Sequence, residues 1–284
     1  MNPTQRKVEN VIEPQPVVEG AGVKLKRSIG TRTLDYLDPF LLLDHFADSK
    51  PEDYEAGFPL HPHRGIETVT YMLRGVVDHR DSIGNSGSIG PGDVQWMTAG
   101  GGIMHEEMPR VRPEGIDGFQ LWVNLPAKLK MTIPRYQGIL SSQIPEVAIE
   151  GGVTIRVITG EVGGVKGPVS GIAADPTYLD VSVPSGSSFT HHVARGHTAF
   201  AYVFEGEASF ADDDQSISHT RLVVWGDGDH VKVVTAENGV RFLLVSGKPL
   251  NEPIARYGPF VMSTREEIEQ ALSDLRHGTF VRED

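Results

Sequence analysis

The feature that most constrains this chain is its texture of short alternating apolar and polar runs, each closed by Gly, Pro, Asp or Asn. Such runs are ETVTYML (67–73), DVQWM (93–97), FQLWVNL (119–125), VTIRVI (153–158), TYLDVSV (177–183), AFAYVF (199–204) and VRFLLVS (240–246). A period of two puts alternate side chains on opposite faces, as in a strand with one buried face. Strands this short, separated by turn residues, predict an antiparallel sandwich or barrel and make the chain all-β. The exception is STREEIEQALSDLRHG (263–278). There Ser263 and Glu266 have capping-box spacing, Ile268, Ala271, Leu272 and Leu275 form an apolar stripe, and Gly278 is placed to end a helix. A short helix packed on a sheet, or lidding it, is expected.

The pattern is repeated. ETVTYMLRG, ending at Gly75, is echoed by TAFAYVFEG, ending at Gly206, and GPGDVQWM (90–97) by WGDGDHVKV (225–233). Each pairing is a strand, a turn glycine and then a Gly-Asp turn, which points to a duplicated β-domain. The expected division is 1–138 and 139–284, with the join in YQGILSSQIPE (136–146) and the helix at the end of the second domain.

Within the first half, HPHRGIETVTYMLRG (61–75) carries two histidines one residue apart. On a strand His61 and His63 share a face, about 6.6 Å apart along the chain, and one ion with bonds of about 2.1 Å reaches both imidazoles. AGGGIMHEEMP (99–109) repeats the spacing with His105 and Glu107, while Glu106 points the other way, toward solvent. If the two strands are neighbours, His61, His63, His105 and Glu107 converge. Three neutral imidazoles and a carboxylate suit a divalent first-row ion, with iron(II) leading and copper, nickel, manganese, cobalt and zinc open. Four protein ligands leave octahedral positions for water, substrate or dioxygen. Glu67, on the parity of the two histidines unless Gly65 breaks the strand, is an alternative ligand or an acceptor for an imidazole N–H.

The second half loses this pair. With Gly206 aligned on Gly75, His192 falls opposite His61 but Ala194 falls opposite His63. His191, His192 and His197 are expected to be surface or packing residues, and the second domain to be free of metal.

Composition removes several classes of function. The 284 residues contain no cysteine, so thiolate metal sites, disulfides and a cysteine nucleophile are excluded. With 26 Lys and Arg against 38 Asp and Glu, the formal charge is −12, which disfavours direct binding to a phosphate backbone. The N-terminus has no apolar signal core and no segment approaches membrane-span length. A cytoplasmic location is expected.

These motifs resemble the pirin family. HPHRGIETVTYMLRG looks like the first cupin motif, and the stretch through GDVQWMTAGGGIMHEEMP looks like pirin. The likeness continues through FQLWVNLP, GHTAFAYVFEG, WGDGDHVKV and YGPFVMSTREEIEQA, nearly the whole chain. The resemblance implies a bicupin of two jelly-roll β-barrels with metal only in the N-terminal one, held by His61, His63, His105 and Glu107. Glu67 matches the motif-one glutamate that many cupins use instead.

The resemblance also brings two functions. One is a quercetin 2,3-dioxygenase-like enzyme acting on flavonols with O2, in which Glu107 takes the 3-hydroxyl proton and Phe58, Trp96, Met97 and Trp122 are candidates for an apolar substrate pocket. The alternative is an iron-binding regulatory protein that acts through protein partners, as a transcription cofactor or a regulator of metabolic enzymes.

Overall fold

A computed structural model describes residues 3–210 and 215–281. The chain forms two compact jelly-roll units, and each borrows a terminal segment from the far end of the chain. One unit is Gln15–Ser141 with Leu250–Asp284; the other is Met1–Pro14 with Ser142–Pro249. The switch at Ser141–Ser142 lies inside the stretch read as the join, but the division 1–138 and 139–284 does not describe the ends. Val8–Ile12 pairs antiparallel with Arg221–Trp225 as an edge strand of the second unit. The C-terminal helix Arg265–His277 belongs to the first unit, where Ile268 and Ala271 pack with Phe260, Met262 and Phe280. Complementary edges and apolar faces decide membership here, not chain order.

In the first unit a seven-stranded sheet runs Arg135–Ile139, Val94–Thr98, Ile66–Arg74, Ile116–Asn124, Phe40–Asp48, Val23–Ile29, Gln15–Glu19. A four-stranded sheet runs Phe58–His63, Ile103–Pro109, Val77–Asp81, Ser86–Ile89. Val23, Leu25, Phe46, Met72 and Ile116 of the larger sheet pack with Val77 and Ile89 of the smaller, so one core lies between them.

The second unit repeats the plan. Around Thr198–Ser209 its large sheet has Arg221–Trp225 on one side and Val240–Gly247, then Thr177–Val183, on the other. Ile66–Arg74 is flanked in the same way by Val94–Thr98, Ile116–Asn124 and Phe40–Asp48. The glycines ending the two repeats share a backbone requirement. Gly75 and Gly206 have φ of 80° and 69°, and a Cβ there would lie 2.6 Å from the Gly115 carbonyl oxygen and 2.0 Å from that of Gly239. A left-handed conformation combined with close backbone approach is open only to glycine.

The helix is capped one residue later than the sequence spacing implied. Thr264 and Glu267 form the reciprocal capping box, with Ser263 N–H also donating to Glu267. Gly278 ends the helix in the left-handed region as expected, whereas Leu275 is partly exposed at the end of the stripe. No helix among the described residues is long and apolar enough to cross a membrane.

Candidate metal centre

The strands carrying the two histidine motifs are antiparallel neighbours, with His105 directly opposite His61. Their imidazoles converge: ring centroids are 4.8 Å apart for His61–His63, 4.3 Å for His61–His105 and 4.9 Å for His63–His105. One ring nitrogen from each lies within 4.8 Å of the others. Nε2 of His61 is 3.1 Å from Nε2 of His63. Two ligands at right angles on an ion, with bonds of about 2.1 Å, stand about 3.0 Å apart, so this spacing fits a shared metal. His61 Nδ1 is 2.9 Å from the Pro59 carbonyl; donating there leaves Nε2 as the lone-pair nitrogen.

Burial reinforces the fit. His105 is fully buried and neither of its ring nitrogens has a hydrogen-bond partner, an arrangement that costs free energy unless a ligand satisfies it. Burial first, and the neighbouring imidazoles second, hold His63 and His105 well below the usual histidine range. Both are therefore neutral at physiological pH, the form that ligates metal.

Glu107 is not in the convergent group of nitrogens. It extends from the smaller sheet and is gripped by the larger one: Thr70 Oγ1 and Gln95 Nε2 donate to Oε1 at 2.7 and 3.2 Å, and Gln120 Nε2 donates to Oε2 at 2.9 Å. These donors belong to one polar row across the inner face, in which Arg27 pairs with Asp44, Asp44 with Gln120, Gln120 with Thr70 and Thr70 with Gln95. A carboxylate offers about four lone-pair positions. With three occupied, one is left, enough for an ion or a proton but not both.

Glu67 stands apart. Gly65, at φ 79°, breaks the chain between His63 and Ile66–Arg74 and resets the parity, so that Thr70, not Glu67, faces the site. Thr98 Oγ1 donates to Glu67 at 2.7 Å, and burial pushes the Glu67 carboxyl up to about 7. Among the described residues it contacts no imidazole. Glu106 faces outward as expected, but pairs with Arg80 at 3.0 Å.

A cavity of about 600 Å³ opens onto His61, His63 and Glu107, with walls that include Leu25, Leu42, Phe46, Phe58 and Trp122. Trp122 stands edge-on to His63 with centroids 5.1 Å apart. Of the four expected pocket residues, Phe58 and Trp122 line the cavity, while Trp96 and Met97 do not. Trp96 neighbours Gln95, which reaches inward, and so points to the opposite face of its strand; Met97 is fully buried among Leu41, Ile66 and Val261.

Sequence reasoning missed His79 and Asp81, although VDHRD (77–81) carries the same two-residue spacing. His79 Nε2 is 3.1 Å from Asp81 Oδ2, and its ring lies 5.5 Å from His105 and stacks on Tyr136 at 4.9 Å. It missed the backing of the metal loop as well. Arg64, buried beside His63, donates to Asp274 at 2.6 Å and to the Phe280 carbonyl at 3.1 Å. Lys130 Nζ donates to the carbonyls of Gly65 and Val261 and to Asn124.

The second unit fills the corresponding interior with apolar groups: Phe189, Val231, Val233 and Phe242 are all buried in its core. Its inward parity is Phe189, His191 and Val193, one residue off the alignment that set His192 against His61. His192 is exposed. His191 and His197 are half-buried beside a polar cavity of about 430 Å³, and burial lowers His191 to about 4.

Fold and site together define a bicupin with a histidine metal centre in one unit. The Pirin family matches residues 22–123 and the Pirin C-terminal cupin domain matches 178–281. A pirin-like protein of Caulobacter vibrioides is 46% identical, over 97% of this chain and 99% of that protein. Human pirin is 44% identical, over 91% of this chain and 88% of its own length. The crystal structure of quercetin 2,3-dioxygenase from Acinetobacter baumannii superposes with a TM-score of 0.88 at 36% identity, covering 98% of this chain and 99% of that one. The chain belongs to the pirin family.

Proposed function

We propose that this protein is a metal-dependent dioxygenase that opens flavonols such as quercetin with O2, and that its native metal is iron(II). The observation that carries this reading is the meeting of three convergent imidazoles, those of His63 and His105 buried with unsatisfied ring nitrogens, with a largely apolar cavity and an adjacent carboxylate. The Acinetobacter baumannii protein described as quercetin 2,3-dioxygenase supports it through shared fold and sequence.

His61, His63 and His105 would hold the ion, with Glu107 as the fourth ligand or as the base beside it. A divalent metal bound there would supply Lewis acidity that makes the flavonol hydroxyl more acidic and a redox partner for dioxygen. The chain's own part is positional and acid–base. Thr70, Gln95 and Gln120 fix the Glu107 carboxylate, whose remaining acceptor position takes the 3-hydroxyl proton. Trp122 and Phe58 offer aromatic surface to the flavonol rings and keep water from them. Ring opening of the deprotonated flavonol with O2 releases carbon monoxide.

The test joins metal analysis of the purified protein to an oxygen-electrode assay with quercetin. Metal-dependent O2 uptake with matching carbon monoxide release is expected. A fully metal-loaded protein that consumes no O2 with any flavonol would overturn the reading and move the regulatory alternative ahead.

A further inference from the structure

Two arginines border the cavity, and their surroundings differ. Arg27 is committed: Nε and Nη2 donate to the two carboxylate oxygens of Asp44, each at 2.7 Å, and Nη1 donates to Glu19 at 2.8 Å. Arg256 is not. Its one hydrogen bond runs from Nη1 to the Leu41 carbonyl at 3.3 Å, and among the described residues it has no carboxylate partner. It sits at the rim, held by Trp122, whose ring centroid lies 5.2 Å from the guanidinium carbon. The same indole stands edge-on to His63. A single aromatic ring thus separates the metal centre from a cation with free donors.

A guanidinium lying over an indole face can keep an N–H edge available, and that edge matches a carboxylate in bidentate geometry. The wall leading to it is mostly apolar; Asp44 and Glu19, which also line it and act on Arg256 through space, are themselves held by Arg27. A cavity of about 600 Å³ is of the size that encloses a small aromatic molecule. Across a chain of net charge −12, an anion is repelled at long range. A cation at the rim whose donors no carboxylate occupies is therefore what would admit one.

We propose that Arg256 is a specificity residue of this cavity and selects aromatic ligands bearing a carboxylate on the end remote from the metal. The inference rests on the reading of the cavity as a flavonol-type site and refines its substrate class. A neutral flavonol leaves Arg256 as it is, whereas a carboxylated one gains a charge-assisted contact without disturbing its metal-directed oxygens.

The test is calorimetric titration of the metal-loaded protein with 3-hydroxyflavone and with its 4′-carboxylate. Wild type should bind the carboxylate about five- to tenfold more tightly at low ionic strength, with the preference shrinking as salt is added. The ratio should fall to about one in Arg256→Met and to an intermediate value in Arg256→Lys, which retains the charge but not the bidentate edge. Equal affinities in wild type, or a preference that survives in a correctly folded Arg256→Met, would overturn the inference and leave the flavonol reading standing. Failure of the neutral flavonol to bind at all would instead remove that reading and the inference with it.

Discussion

Replacing Glu107 by glutamine separates two roles that geometry alone leaves joined. The carboxylate accepts from Thr70 and Gln95 through Oε1 and from Gln120 through Oε2. An amide keeps the first two acceptors on its carbonyl but sets an NH2 against the Gln120 donor. Gln120 can turn its own amide to accept, giving up only the long 3.4 Å contact from Thr70. The structural cost is then the difference between a charged and a neutral hydrogen bond, about 1–2 kcal/mol. Loss of a general base costs roughly 10²–10⁴ in rate, about 3–5 kcal/mol of barrier. The kinetic effect is the larger, and it acts on molecules that have already folded. The assay is O2 uptake at saturating flavonol as a function of added metal, with bound metal quantified in each sample. If Glu107 is only a ligand, activity recovers as metal saturates. If it is the base, turnover stays at least a hundredfold down at full occupancy, and the acidic limb of the pH–rate profile disappears. Near wild-type turnover by metal-saturated Glu107→Gln would refute the base assignment.

Three further outcomes follow from the same geometry. His61→Ala/His63→Ala should abolish stoichiometric metal binding, and crystals soaked in zinc should give one strong anomalous peak per chain, in the first unit; a fully coordinated second peak between residues 150 and 250 would contradict the apolar interior found there. Gly65→Ala should destabilise the protein by about 2–4 kcal/mol, because a Cβ there would lie 2.0 Å from the Val261 carbonyl oxygen at a φ of 79°; chemical unfolding showing less than about 1 kcal/mol would refute this. Burial lowers Lys130 to about 8, so between that pH and its ordinary value near 10.5 the unfolded chain binds the extra proton and stability rises with pH. Wild type should therefore gain up to about 3 kcal/mol relative to Lys130→Met across this window, and a pH-independent difference would show that the buried amine is not the cause.

What the sequence made legible was whatever depends on one strand at a time. Alternation marked the strands, and spacing of two put His61 beside His63 and prepared His105 to face them, because side-chain direction along a strand is a local property. Parity failed where one residue broke the strand. Gly65 in the left-handed region turns Glu67 away and brings Thr70 in, and its φ cannot be read from its neighbours. Cross-strand partners were hidden for a different reason. Gln95, Thr70 and Gln120 meet at Glu107 because three strands that are not consecutive in the chain lie side by side in one register, and sheet order is a long-range outcome of packing. The exchanged ends are of the same kind: Val8–Ile12 and Arg265–His277 each pack where a complementary edge or face is open.

That division between local and long-range has a chemical consequence. The three imidazoles come from two adjacent strands of the smaller sheet and depend on one antiparallel register, His105 against His61. Glu107 grows from the same sheet, yet its orientation is fixed by donors on the opposite one. Metal affinity is thus set within one sheet, whereas the aim of the carboxylate is set by the separation of two. The core between them, Met72 and Ile116 against Val77 and Ile89, holds that separation. A hydrogen bond of 2.7–3.2 Å weakens steeply with displacement, so a small shift of one sheet on the other would release Glu107 from Thr70, Gln95 and Gln120 before it disturbed the imidazoles. Freed, the carboxylate would have both oxygens available to a metal held by the three imidazoles; held, it offers a single acceptor position. Under the proposed function, the packing of this apolar core would decide whether Glu107 serves as ligand or as base.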